Sequence, residues 1–222
     1  MIFAPPTVPG FEFREAEHTY WIEGQRLPGF SEIAKAERWV DDSFYTEEAR
    51  DRGSAVHDAG LLLLQGMLNF GALDKRWKGY LLSLADALGE LEIEPILVEI
   101  PLASRSFRFA GKFDLLARIR KAIWLIDIKT GGPQDWHSLQ LAAYHILLAE
   151  NRIELGIGDR MPTRHANLYL SGDGKPGILK PIQRPIAEEI KAWGGIVTSF
   201  YRRGGLENGN SNGNGSGDRA AA

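Results

Sequence analysis

The chain has 222 residues, 44% hydrophobic and 25% charged, with a formal net charge of −3 and no cysteine. That length can bury a core within one domain, and the missing thiols exclude disulfide frameworks and cysteine-ligated iron–sulfur clusters. No apolar run approaches the roughly 20 residues that span a bilayer, and the opening MIFAPPTVPG lacks a basic segment followed by an apolar core, so a cytoplasmic protein without membrane attachment is expected.

In chain order, Phe11–Leu27 reads as a hairpin whose turn includes Glu23-Gly24, and Ser31 is placed to cap a helix running towards Trp39. A second helix is predicted from Phe44 to Met67, with Gly53 one turn before His57 on the same side. A third, Lys75–Leu91, carries Trp77, Tyr80, Leu81, Leu84 and Leu88 at helical spacing, a core stripe. Strands follow at Ile96–Leu102, Phe107–Ile119 and Ala122–Lys129. Asp135 is placed to cap a helix over Trp136–Glu150, whose buried stripe is Leu139, Ala143, Ile146 and Leu147. His165–Leu170 reads as a later strand and Ile186–Arg203 as an amphipathic closing helix. From Glu207 the Gly/Asn/Ser tract has almost nothing to bury, so 207–222 is expected to be a disordered tail on a domain of residues 1–206.

The chemistry concentrates in Gly111–Tyr144. From Phe107 to Ile119 the odd positions are mostly apolar and the even ones include Arg108, Lys112 and Asp114, the alternation of a half-buried strand. With a turn centred on Arg120-Lys121, Asp114 falls opposite Asp127. Arg-Lys is not a favoured two-residue turn, so a slipped register stays open. Facing carboxylates destabilise a sheet unless a cation lies between them, and a hard divalent ion with oxygen ligands is the natural candidate. Lys129, one pleat beyond Asp127 on the same face, can then reach an anion held by that ion. A single Asp-Xaa-Lys is also what a solvated sheet edge shows. The opposed Asp114, with Gly111 and Gly131-Gly132 allowing close approach, tips the reading towards a site. Arg105, Arg108, Lys112, Arg118, Arg120 and Lys121 would form a basic collar around it.

These elements resemble the PD-(D/E)XK nuclease superfamily, more closely its RecB-like branch and the related phage exonucleases. The resemblance rests on Gly111 with Asp114, on Asp127-Ile128-Lys129-Thr130-Gly131, and on Gln140 with Tyr144. Arg52-Gly53-Ser54-Ala55-Val56-His57 is similar to the family's early helix whose His reaches the metal, and Glu99 matches its acidic residue on the preceding strand. His18-Thr19-Tyr20-Trp21 through Pro28 is similar to the start of phage members. The resemblance implies an α/β fold, a central mixed β-sheet flanked by helices as in restriction-endonuclease-like nuclease cores.

It also implies Mg2+, with Mn2+ tolerated, on His57, Glu99, Asp114, Asp127 and the carbonyl of Ile128. Lys129 would orient the attacking water or stabilise the phosphate. Gln140 and Tyr144 would position substrate or lysine, and Arg52, Arg108, Lys112 and Thr130 would contact DNA. The implied activity is exonucleolytic degradation of linear duplex DNA in phage-type recombination or repair. A single-strand annealing protein is the implied partner, and a ring-shaped homo-oligomer is compatible. A site- or structure-specific endonuclease, a catalytically silent DNA-binding module and a small-molecule metal hydrolase are the alternatives.

Overall fold

The structure, a computed structural model, describes residues 8–41 and 46–206. Strands β1 (Phe11–Arg14), β2 (Thr19–Ile22) and β3 (Gln25–Leu27) form a small antiparallel sheet in that order. The expected hairpin is thus a three-stranded meander. Glu23 and Gly24 make the β2–β3 turn with φ of 51° and 76°, the left-handed pair that a tight hairpin of this kind requires.

Helix α1 (Phe30–Ala36) is capped at Gly29, not Ser31, which lies within its first turn. Helix α2 (Glu47–Leu64) starts from Thr46, whose Oγ1 accepts the Ala49 N–H at 3.1 Å, with Glu47 and Glu48 against the positive end of the dipole. The earlier start expected at Phe44 lies outside the described residues. Helix α3 (Lys78–Glu90) begins later than the sequence indicates, after Trp77.

The large sheet has the order β4 (Ile93–Ser104), β5 (Phe109–Ile119), β6 (Ala122–Lys129), β7 (Arg164–Tyr169), β8 (Ile178–Pro181). Only β6 and β7 run parallel, and α4 (His137–Glu150) supplies the crossover between them, as a parallel pair demands. Asp135 does not cap α4 with its side chain; its carbonyl accepts from Ser138 Oγ at 3.2 Å. Helix α5 (Ile186–Arg202) closes the described fold. This is an α/β fold with a mixed sheet flanked by helices.

Two cores lie on opposite faces of the sheet. Phe109, Phe113, Leu116 and Leu125 pack with Leu141 and Leu147 of α4 and Trp193 of α5. Leu115, Ala117, Ile126 and Leu168 pack with Val56 of α2 and Leu81 and Leu84 of α3. Each fully buried Phe or Leu contributes about 1.5–3 kcal/mol.

Phe113 and Leu115 therefore go to opposite cores although they are two apart, so the odd positions of β5 do not share one face throughout. The same exchange separates Val98 from Ile100 on β4. It is centred on Glu99, which sits at φ 52° inside a strand, a conformation that costs an acidic side chain about 1–3 kcal/mol. The pairs Val98–Leu115 and Ile100–Phe113 flank it, so Glu99 stands opposite Asp114. On the other side Leu115 pairs with Ile126, which puts Asp127 next in line. Asp127 pairs with Asn167, and Asn167 with Lys180. One polar row, Glu99–Asp114–Asp127–Asn167–Lys180, thus crosses all five strands.

Candidate active site

The row opens into a cleft of about 750 Å3 lined by His57, Glu99, Lys112, Asp114, Asp127, Lys129, Gln140 and Tyr144. The turn at Arg120-Lys121 keeps the register without a slip: Ile119 pairs with Ala122, and Arg120 alone of the two takes positive φ, 54°. Beyond Leu115–Ile126 the Ile128 N–H donates to Asp114 Oδ2 at 2.6 Å. That bond fixes the Asp114 carboxylate from the backbone of the neighbouring strand. Its other oxygen lies 3.7 Å from His57 Nδ1.

His57 comes from α2, and its Nδ1 is also 3.3 Å from Glu99 Oε1. One ligand atom from each of His57, Glu99 and Asp114 falls within 4.8 Å of the others. Asp127 is outside this trio, its Oδ2 lying 2.5 Å from Lys129 Nζ. Lys129 Nζ also donates to Gln140 Oε1 at 2.7 Å, and Gln140 Nε2 donates to the Tyr144 hydroxyl at 2.7 Å. Gln140 and Tyr144 are one turn apart on α4, so a single helical face positions the ammonium. Gly111 makes room for it: a Cβ there would meet Tyr144 Cε1 at 3.0 Å.

Burial works against a charged His57 imidazole, but Asp114, Glu99 and Asp127 outweigh it and raise its pKa to about 9. Burial raises Asp114 to about 7; His57 opposes that shift, while Asp127 and Glu99 reinforce it. Burial would raise Glu99 too, yet His57 and Lys112 hold it below the usual carboxylate value. Without a bound cation, protons and ammonium groups balance the carboxylates.

The donor set fits a hard divalent ion: two carboxylate oxygens and one imidazole nitrogen converge. Glu99 Oε2 and Asp127 Oδ2 are buried, with ammonium contacts at 2.6 Å and 2.5 Å but no hydrogen bond of good geometry. These two oxygens already face ammonium groups, so it is the converging His57, Glu99 and Asp114 atoms that mark the place for an ion.

The remaining predicted residues are distributed. Ile128, Arg52 and Thr130 line an adjoining cavity of about 220 Å3 that shares His57 and Lys129 with the cleft. Lys112 lies in the cleft but is committed to Glu99 at 2.6 Å. Arg108 is at the β4–β5 turn, where its Nη2 donates to Gln25 and its carbonyl accepts from Tyr201. The basic collar is not assembled. Arg105 pairs with Glu23 and Arg118 with Glu94, and Arg120 and Lys121 line a separate cavity at the far end of the hairpin. A strand only 11 residues long still carries its two ends over 30 Å apart at about 3.3 Å per residue.

Sequence reasoning missed the far wall of the cleft, formed by His18 and Tyr20 of the meander and by Arg26 and Lys35. The His18 ring nitrogen Nε2 is 3.1 Å from the Tyr20 hydroxyl. His18 lies in the β1–β2 turn at φ 50° and Tyr20 within β2, so strand alternation does not mark them as a pair.

Among the described residues, no helix is long and apolar enough to cross a membrane. A search of curated proteins finds no match. A comparison with family models matches the PD-(D/E)XK nuclease superfamily over residues 32–208. Its members are nucleases that use divalent metal ions. The matched span takes in the whole five-stranded sheet together with His57, the three carboxylates and Lys129, so the chain belongs to the PD-(D/E)XK nuclease superfamily.

Proposed function

We propose that this chain is a Mg2+-dependent deoxyribonuclease of the RecB-like, phage-type exonuclease branch, hydrolysing phosphodiester bonds of linear double-stranded DNA from an end. The observation that carries the reading is the ammonium of Lys129, held by Asp127 and Gln140 beside the His57–Glu99–Asp114 trio. His57, Glu99 and Asp114 would hold the ion, with Asp127 and the Ile128 carbonyl within the same strand ends. When bound, a hard divalent ion supplies a water of lowered pKa and countercharge for the phosphate.

Glu99 and Asp114 are held on adjacent strands, so the chain fixes its oxygens before substrate arrives. Lys129 donates to a phosphate oxygen or to the attacking water, and Gln140, held by Tyr144, keeps it aimed. The cleft volume suits a few nucleotides of one strand rather than an intact duplex, which favours attack at an end. A role in recombination or repair with an annealing protein, in the cytoplasm, accords with this chemistry.

The test compares linear and closed-circular duplex DNA with Mg2+, with Mn2+ and with chelator. Degradation of the linear form alone, abolished by chelator, is the expected result. Cutting of the circle would instead indicate an endonuclease. Binding without cleavage would indicate a silent DNA-binding module, and no affinity for DNA a small-molecule hydrolase.

A further inference from the structure

The polar row does not stop at Asp127. Asn167 on β7 and Lys180 on β8 continue it on the same face, away from the residues that hold the ion. At about 4.8 Å between strands, Lys180 stands roughly 10 Å along the sheet from Asp127. Here the sheet, α4 and α5 enclose a second cavity of about 510 Å3. It shares Gln134 and His137 with the small cavity beside Lys129, so the three spaces adjoin one another.

Asn167 is 5% exposed, yet its side-chain Oδ1 is buried with no hydrogen-bond partner. An unsatisfied buried acceptor costs about 1–3 kcal/mol, and this one lines the cavity. Glu189 of α5, 3% exposed, lines the same wall with its Oε1 3.9 Å from Arg184 Nη1. The Asn167 amide carries both a donor and an acceptor, so the complementary ligand offers a polar edge of both kinds. Trp39, 51% exposed, stands at the cavity as a stacking surface, and every base has a flat face to stack. Lys180, with its Nζ 5.3 Å from the centroid of the Tyr169 ring, adds positive charge to the lining, while Arg184 is shared with Glu189.

A flat ring with a polar edge, joined to an anion, is a nucleotide. We infer that this cavity binds an unpaired nucleotide of the substrate strand, its base on Trp39 and its edge on Asn167, a few nucleotides from the scissile phosphate. The inference rests on the nuclease reading. The site anchors the strand that the active site cuts.

The experiment measures binding of a fluorescein-labelled thymidine octamer to the full chain in chelator, where nothing is cut. The same octamer with abasic residues, and thymidine monophosphate as competitor, are the control arms. Trp39→Ala, an exposed position whose loss leaves the core intact, and Asn167→Ala should each weaken octamer binding by about five-fold or more, as loss of a stacked base does. Neither should change binding of the abasic strand. Equal binding of normal and abasic octamers, or octamer binding unchanged in both variants, would overturn the inference. So would a site that monophosphate saturates while the octamer does not compete. Cleavage of linear duplex by wild-type protein with Mn2+ is scored separately, so failure of the nuclease reading is distinguishable from failure of the subsite.

Discussion

Lys129 Nζ lies 2.5 Å from Asp127 Oδ2 and 2.7 Å from Gln140 Oε1, so the ammonium is held from two directions before any substrate enters. A group fixed in this way spends no reorganisation during reaction. Lys129→Ala should lower kcat by about 10²–10³, the loss that follows removal of one preorganised donor. DNA affinity measured in chelator should stay within about threefold, because the charge of one residue adds little to a strand contact. Gln140→Ala should cost less, since it removes only the group that aims the lysine. Normal turnover by Lys129→Ala would remove the lysine from the reaction.

Gly111 acts at one remove. A methyl group there would sit 3.0 Å from Tyr144 Cε1 and 3.3 Å from Leu147 Cδ1, and both neighbours are buried in the core beneath α4. Gly111→Ala should displace Tyr144, then Gln140, then Lys129. The expected outcome is a drop in kcat with KM little changed, together with a loss of stability of about 1–3 kcal/mol from overpacking. Adding Tyr144→Phe to Gly111→Ala should cost less than the sum of the two single losses, because both act through Gln140. Strict additivity in denaturant titrations and kinetics would contradict the relay.

Much of this site is legible from local pattern. Strand β6 occupies the residues its Ile and Trp content indicates, and the short turn at Arg120-Lys121 fixes Asp127 opposite Asp114. The face exchange at Glu99 is not legible, because a positive φ at an acidic residue leaves no mark on the hydrophobic alternation. Hence β5 reads as one continuous face when it is two. Strand β8 is missed for another reason: it is a four-residue edge with three of its residues exposed or nearly so, bounded by Gly177 and Pro181, and buries too little to show a period. The placement of His18 and Tyr20 across from Glu99 depends on how the meander docks, a long-range fact that no spacing encodes. Ser31 fails as a cap because Pro28-Gly29 already sets the entry to α1, leaving Ser31 inside its first turn.

Metal affinity should depend on pH in a definite direction. In the metal-free site His57 is protonated below about 9 and Asp114 below about 7. Both must lose their protons to become ligands, so binding releases protons and strengthens as pH rises. Between pH 7 and 9 one proton is released, an affinity gain of up to about tenfold per unit; below 7 two are, up to about a hundredfold. Calorimetric titration with Mn2+ in buffers of different ionisation enthalpy reads both affinity and proton count. His57→Gln should bind more weakly and release about one proton fewer at pH 8. Affinity independent of pH from 6 to 9 would show that these groups are not the ligands.

His165 makes acid stability a test of the packing between β7 and α4. It is 6% exposed on β7, with its Nε2 2.9 Å from His145 Nδ1 of α4. Burial, then the neighbouring imidazole, lowers its pKa to about 3. The unfolded chain, with histidine near 6.5, binds the proton first. Stability from this residue is therefore present above 6.5 and lost as pH falls towards 3, at about 1.4 kcal/mol per unit, or about 2 kcal/mol by pH 5. Asp114, raised rather than lowered, runs the opposite way over the same range, so the wild-type curve alone does not isolate His165. The difference between wild type and His165→Gln does: urea unfolding from pH 8 to pH 5 should show the variant losing about 2 kcal/mol less than wild type. Parallel curves would mean that His165 takes up a proton in the folded protein, with the His145 contact opening to admit water.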